Sequence, residues 1–153
     1  MRITDLSRID RSIEIKAPPA RVYQALTNTA EVAAWFQVQI EGTIQQGAEV
    51  WMTSSPEHGN MRFLVKIAEL TPPRRVVWQW HPGAVDPKVD YSKEPTTTVT
   101  FTLEPTARGT KVTVSETGFD ALSLERRAKA HADNSQGWTE VVVWLQKYVE
   151  AKN

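Results

Sequence analysis

The chain contains no cysteine, and that absence removes disulfide cross-links, thiolate metal sites and a cysteine nucleophile together. It also fits a reducing compartment. Nor is there an excess of charge of either sign: 18 Lys and Arg balance 18 Asp and Glu. No overall field gathers nucleic acid or an anionic membrane surface, so nucleic-acid binding is disfavoured. No run approaches the roughly 18 consecutive apolar residues of a membrane-spanning helix, so no membrane insertion is expected. The opening residues, Met1 to Arg8, carry charges where a secretory signal needs an apolar stretch, and the expected location is cytoplasmic. Repeats, low-complexity tracts and linkers are missing as well, and 153 residues is one domain's worth of chain. Residues 1–153 therefore read as a single domain. Glycine is scarce at seven, whereas tryptophan is plentiful at six and spread along the chain. Such large flat side chains fill cores and also line ligand pockets.

The segment from Ile9 to Lys16 alternates with period two and predicts a half-buried strand with Ile13 and Ile15 inward. Pro18-Pro19 ends it and opens a short amphipathic helix through Val22, Tyr23 and Leu26. Thr27-Asn28-Thr29 breaks that helix and caps a second one, Ala30 to Phe36, with Glu31 in its first turn. Strands follow at Val38–Glu41, Ala48–Thr53, Met61–Leu70, Arg75–His81, Thr96–Glu104 and Lys111–Thr117, separated by Gly-, Pro- and Ser-rich turns. In the last two, Val99, Phe101, Leu103, Val112 and Val114 alternate with Thr and Ser, which predicts an antiparallel sheet with one apolar and one hydroxyl-coated face.

The cover for that apolar face is the C-terminal segment. Leu124, Ala128, His131, Ser135, Trp138, Val142, Leu145 and Val149 recur in steps of four and three, a single helical stripe. It passes unbroken through Asn134 and Gly137, predicting one long helix. The stripe is small or polar in its first half and bulky in its second, so a cavity is expected under the first half.

Four segments carry a family resemblance. Ile13 to Thr27, with Trp35-Phe36 just after, resembles the opening of bacterial START/Bet v1-like domains. Ala68 to Trp80, the hairpin from Thr98 to Phe119, and Gly137-Trp138-Thr139-Glu140 resemble, more narrowly, the group named for the C-terminal domain of the activator of Hsp90 ATPase. The resemblance implies an α+β helix-grip fold: a curved antiparallel sheet with two short helices and a long C-terminal helix enclosing a cavity. It implies no single activity, because that superfamily hosts carriers, cyclases, resistance proteins and a co-chaperone domain.

Within this frame the candidate cavity lining is Trp35, Met52, Phe63, Val65, Trp78, Trp80, Phe101, Val114, Glu116, His131, Ser135, Trp138 and Val142. The alternative for most of the apolar ones is ordinary packed core. Trp51 has the opposite parity to Val50 and Met52, so either Trp51 faces out or the register is shifted. Glu116 has the parity of Val112 and Val114 and should point inward, either to bind or protonate a ligand or to pair internally with Arg62 or Arg11. His131 and Ser135 lie one helical turn apart and, with Glu116, make either a polar patch or a Ser–His–Glu arrangement that lacks a nucleophile elbow. His81, Asp86, Asp90 and Glu94 gather in one loop, but their spacing matches no metal motif, and neither metal nor cofactor is expected. Arg74-Arg75 and Arg126-Arg127 with Lys129 read as solvated surface.

Three functions compete. The first is binding of a hydrophobic or amphipathic small molecule between sheet and helix. The second is a cyclase or hydrolase acting on an aromatic or polyketide substrate, with Glu116 as acid/base and His131 assisting. The third is an Hsp90 co-chaperone-like interaction module, which is disfavoured because the first strand begins near Ile9 and leaves no room for a separate Hsp90-binding domain ahead of it. A homodimer is compatible with the sequence.

Overall fold

The computed structural model describes residues 6–82 and 88–152. Seven strands form one antiparallel sheet: β1 (Arg8–Ile15), β2 (Val38–Glu41), β3 (Glu49–Ser54), β4 (Arg62–Thr71), β5 (Arg75–Trp80), β6 (Thr97–Pro105) and β7 (Thr110–Thr117). Their order is β1-β7-β6-β5-β4-β3-β2, so chain-consecutive β1 and β2 are the two edges. Helices α1 (Pro19–Thr27) and α2 (Thr29–Trp35) carry the chain from one edge to the other, and α3 (Leu124–Lys152) covers the apolar face. This is the helix-grip architecture.

Local chemistry accounts for each element. Pro19 stands at the start of α1, where its missing N–H costs nothing, and Val22, Ala25 and Leu26 form its buried face. The Asn28 side chain accepts from the Glu31 N–H at 3.0 Å and caps α2. Trp35 Nε1 donates to the Ala25 carbonyl at 2.7 Å and ties the two helices together. Gln37 then adopts a left-handed conformation (φ 58°), turning the chain out of α2 into β2.

Alternation along β6 and β7 holds to the residue: Thr97, Val99, Phe101 and Leu103, like Val112, Val114 and Glu116, are buried. On the other face Thr98, Thr100 and Thr102 lie opposite Thr117, Ser115 and Thr113, a ladder of hydroxyl pairs suited to the wet side. In β4 the pairing steps from Ile67 opposite Trp78 to Glu69 opposite Val77. Ala68 is thus the extra residue of a bulge, which bends the strand and resets parity so that Leu70 joins the core.

Trp51 is 37 % exposed with the Arg62 guanidinium 3.8 Å over its ring, while Val50 and Met52 are buried. The register is as read, with Trp51 outside. No helix among the described residues is long and apolar enough to cross a membrane.

One expectation fails in α3. Its second half buries Trp138, Val142, Leu145 and Val149 as the stripe predicts, but the first half does not follow: Leu124 is 75 % exposed and Ala128 is exposed, while Ala130 is buried. A helix crossing a twisted sheet meets it with different sectors along its length, so a single stripe cannot describe both halves. His131 and Ser135 consequently face the edge strand β1. His131 Nε2 lies 2.9 Å from the Arg8 carbonyl, and Arg11 donates to Ser135 Oγ at 2.7 Å and to Thr139 Oγ1 at 3.1 Å.

Candidate functional site: an aromatic cavity around a buried carboxylate

Three neighbouring strands and the helix converge on Glu116, which is fully buried. In register, Trp80 of β5 faces Thr97 of β6, and Val99 of β6 faces Glu116 of β7, so Trp80, Thr97 and Glu116 share the inner face. Asn134 and Trp138, one turn apart on α3, complete the group. Oε2 accepts from Thr97 Oγ1 at 2.5 Å, Trp80 Nε1 at 2.8 Å and Asn134 Nδ2 at 3.1 Å. Oε1 accepts from Trp138 Nε1 at 2.8 Å and Asn134 Nδ2 at 3.0 Å. Indole and amide nitrogens only donate, so this surrounding suits an acceptor with two oxygens.

The expected arginine partners are both elsewhere. Arg11 is held by Ser135 and Thr139, and Arg62 lies between Glu41 and the Trp51 ring. Glu116 is an internal anchor satisfied by neutral donors.

That anchor fixes aromatic rings. Trp80 and Trp138 lie near-parallel with centroids 5.8 Å apart, and Phe36 is near-parallel to Trp80 at 6.4 Å. Phe63 meets Trp80 edge-on at 5.8 Å. Edge-to-face and offset contacts of this kind are the favoured aromatic geometries. Beside them opens a cavity of about 240 Å³, lined by Phe36, Phe63, Trp80, Trp138, Val141 and Trp144, with Asn134 and Gly137 from the helix and Val38 and Ser54 from the strands. His58, Met61 and Gln37 also line it, and His58 and the 39 %-exposed Met61 bring it to the protein surface. His58 bonds Gln37 Oε1 at 3.0 Å, and its ring packs on Trp144 at 5.1 Å.

Of the residues expected to line a cavity, Phe63, Trp80 and Trp138 do so, and Glu116 sits directly behind the two indoles. Trp35, Met52, Val65, Trp78, Phe101, Val114 and Val142 are buried members of the core and are absent from the lining. His131 and Ser135 face β1, so the polar patch with Glu116 is not assembled. No hydrogen bond links these three among the described residues, and the Ser–His–Glu arrangement is not formed.

The reading of residues missed Asn134, Gly137, Val141 and Trp144, the flank of α3 that faces the cavity. The available signal was a second apolar row, Val141, Trp144 and Tyr148, beside Val142, Leu145 and Val149: a face too wide for one partner. His58 had no signal, ending a three-residue 3-10 turn.

The other clusters resolve into structure. Asp86 lies outside the described residues, Asp90 accepts from Ser92, and Glu94 is gripped by Arg126 at 2.8 Å. No group of metal-ligating side chains forms among the described residues. Arg126 is not loose surface: it also donates to the Pro82 carbonyl at 2.7 Å, and Arg127 donates to the carbonyls of Phe119, Asp120 and Leu122. The hydrogen bond from Arg126 holds the Glu94 carboxyl below the usual glutamate range against the opposing effect of burial.

Comparison with known proteins bears on the fold. Protein MLL2253 from Mesorhizobium loti superposes with a TM-score of 0.76 at 18% identity, covering 95% of this chain and 98% of that one. A protein from Arthrobacter aurescens gives 0.76 at 16%, covering 97% and 90%. The Aha1 dimer from Colwellia psychrerythraea gives 0.72 at 22%, covering 94% and 96%. At such identities these likenesses establish the architecture alone. No curated protein matches the sequence. The family model described as activator of Hsp90 ATPase homolog 1-like protein matches residues 16–150, which spans β2 to β7, α1, α2, all but the last two residues of α3 and the whole of the carboxylate-anchored cavity, and the chain belongs to that family.

Proposed function

We propose that the protein binds a small, largely apolar molecule in the cavity between the sheet and α3. One observation carries the reading: about 240 Å³ is left open among aromatic rings that are individually held in place, two of them by Glu116. A concave, largely aromatic space open on one side is the form that small-molecule sites take. An apolar cavity of about 150 Å³ is known to admit benzene, so one or two rings, or a short branched chain, is the occupant this space suits.

The enzyme alternative loses support from the same geometry. Both oxygens of Glu116 are engaged by Trp80, Thr97, Asn134 and Trp138, and His131 is turned to β1. An acid/base catalyst needs a free reach to the reacting atom. The co-chaperone reading is supported by the family's description alone and by no feature of the site. A homodimer is supported only by the dimer described for the Colwellia psychrerythraea protein, and light scattering that gave the single-chain mass of 17.3 kDa would discard it.

The test is NMR titration with a panel of one- and two-ring compounds, on the native chain and on Val141→Trp, which fills the cavity from the helix side. Dissociation constants of about 0.1–1 mM are expected for ligands of this size, weakened at least ~10-fold in the variant. Binding that is absent across the panel, or unchanged in Val141→Trp, would refute the reading.

A further inference from the structure

The electrostatics of the cavity narrow the class of ligand, on the premise that the cavity binds one. Behind Trp80, Asn134 and Trp138 sits the Glu116 carboxyl, which no Lys or Arg among the described residues contacts. Its partners are two indole N–H groups, an amide and a hydroxyl, all uncharged. Among the thirteen lining residues there is no Lys, Arg, Asp or Glu, and His58 at the mouth is the one ionisable side chain. The walls are otherwise aromatic: Phe36, Phe63, Trp80, Trp138 and Trp144.

Each part biases the lumen the same way. The indole N–H groups, the positive ends of those side chains, are spent on Glu116, so they offer nothing to an anion in the cavity. Asn134 likewise commits its amide nitrogen to Glu116, which leaves the carbonyl end, an acceptor, uncommitted to the carboxylate. Aromatic faces carry negative quadrupole potential and attract cations within about 6 Å of the ring centre. A carboxylate one side chain away from the lumen adds a field of the same sign, which the intervening protein screens only in part.

We propose that the cavity selects small organic cations, a hydrophobic amine or quaternary ammonium compound, over neutral molecules of the same shape and over carboxylates. The apolar part of such a ligand lies among Phe63, Trp138 and Val141, and its charge sits against the ring walls with His58 and Met61 at the opening.

The experiment compares three probes by NMR titration on the intact chain: benzyltrimethylammonium, its isosteric hydrocarbon neopentylbenzene, and phenylacetate. The cation is expected to bind tighter than the hydrocarbon by roughly three- to thirtyfold, the range from a partly exposed to a desolvated cation–π contact, and phenylacetate is expected to bind weakest. Val141→Lys, which adds a positive charge to the lining without touching the Glu116 anchor, should lose the preference for the cation and gain affinity for phenylacetate. If the hydrocarbon binds as tightly as the cation, the charge selection is wrong while the cavity remains a binding site. If phenylacetate binds best, the sign is wrong. If none of the three binds, both this inference and the function on which it rests are overturned. An unchanged order in Val141→Lys would also overturn the electrostatic account.

Discussion

Replacing Glu116 with alanine isolates the energetics of the anchor. The substitution removes the acceptor and leaves its donors in place. Thr97 and Trp138 are buried and have no water to turn to, at about 1–3 kcal/mol for each orphaned group. Trp80 and Asn134 are half-buried beside the open cavity and can be rehydrated at little cost. The one lost methylene adds about 1 kcal/mol. A loss of about 4 kcal/mol is expected, a large part of the 5–15 kcal/mol that typically holds a domain folded. In urea this lowers the unfolding midpoint by about 2 M at the slope usual for small proteins. Trp138→Phe removes the indole N–H together with the five-membered ring. The packing loss is common to both backgrounds, but the N–H is orphaned only in the Glu116→Ala background, so the substitution should cost less there than in the native chain. The resulting coupling is expected to be about 1–2 kcal/mol. A midpoint shift under about 0.5 M, or strict additivity of the two substitutions, would show that the carboxylate does not hold the rings.

Two glycines should respond in opposite directions. Gly137 is in the interior of α3 with nothing within 4 Å of an added Cβ, so Gly137→Ala should stabilise by about 1 kcal/mol and raise Tm by about 2–4 °C in a thermal melt. At Gly109 an added Cβ would collide with the Ile15 carbonyl oxygen and the Ala17 nitrogen, so Gly109→Ala should abolish soluble expression or lower Tm by at least about 10 °C. The Glu94–Arg126 pair should be read through pH. The folded carboxyl lies below its ordinary value of 4.5, so the stabilisation is complete above that value and is lost as pH falls through the lower folded value. Arg126→Ala should therefore cost about 1 kcal/mol near neutrality and flatten the acid limb of the stability profile below about pH 4.5, as followed by urea melts across pH.

The strands were legible because their signal is local and binary. A period of two, closed by turn residues, puts a strand end within a residue or so, and the same parity placed Glu116 inside from Val112 and Val114 alone. What surrounds Glu116 was not legible in that way. Its partners come from residues 80, 97, 134 and 138, and a search for a compensating cation overlooked the indole N–H as a donor to a carboxylate. The helix failed in its first half because a stripe describes what repeats along α3, not what lies opposite. There, the edge strand takes His131 and Ser135 through the Arg8 carbonyl and Arg11. The cavity mouth was hidden for a simpler reason. His58 ends a three-residue 3-10 turn, Pro56–His58, and Gln37 sits in a left-handed turn, and neither has a period to read.

The strand order has a consequence in time. Ile9 of β1 pairs with Glu116 of β7, more than 100 residues later in the chain, and closing so long a loop before its contacts are rewarded slows folding. At synthesis rates of about 5–20 residues per second, β1 leaves the ribosome some 5–20 s before its partner exists. In that interval it is an unpaired strand, and its Arg8, Asp10, Arg11 and Glu14 are the kind of charges that keep a waiting edge from pairing with another chain.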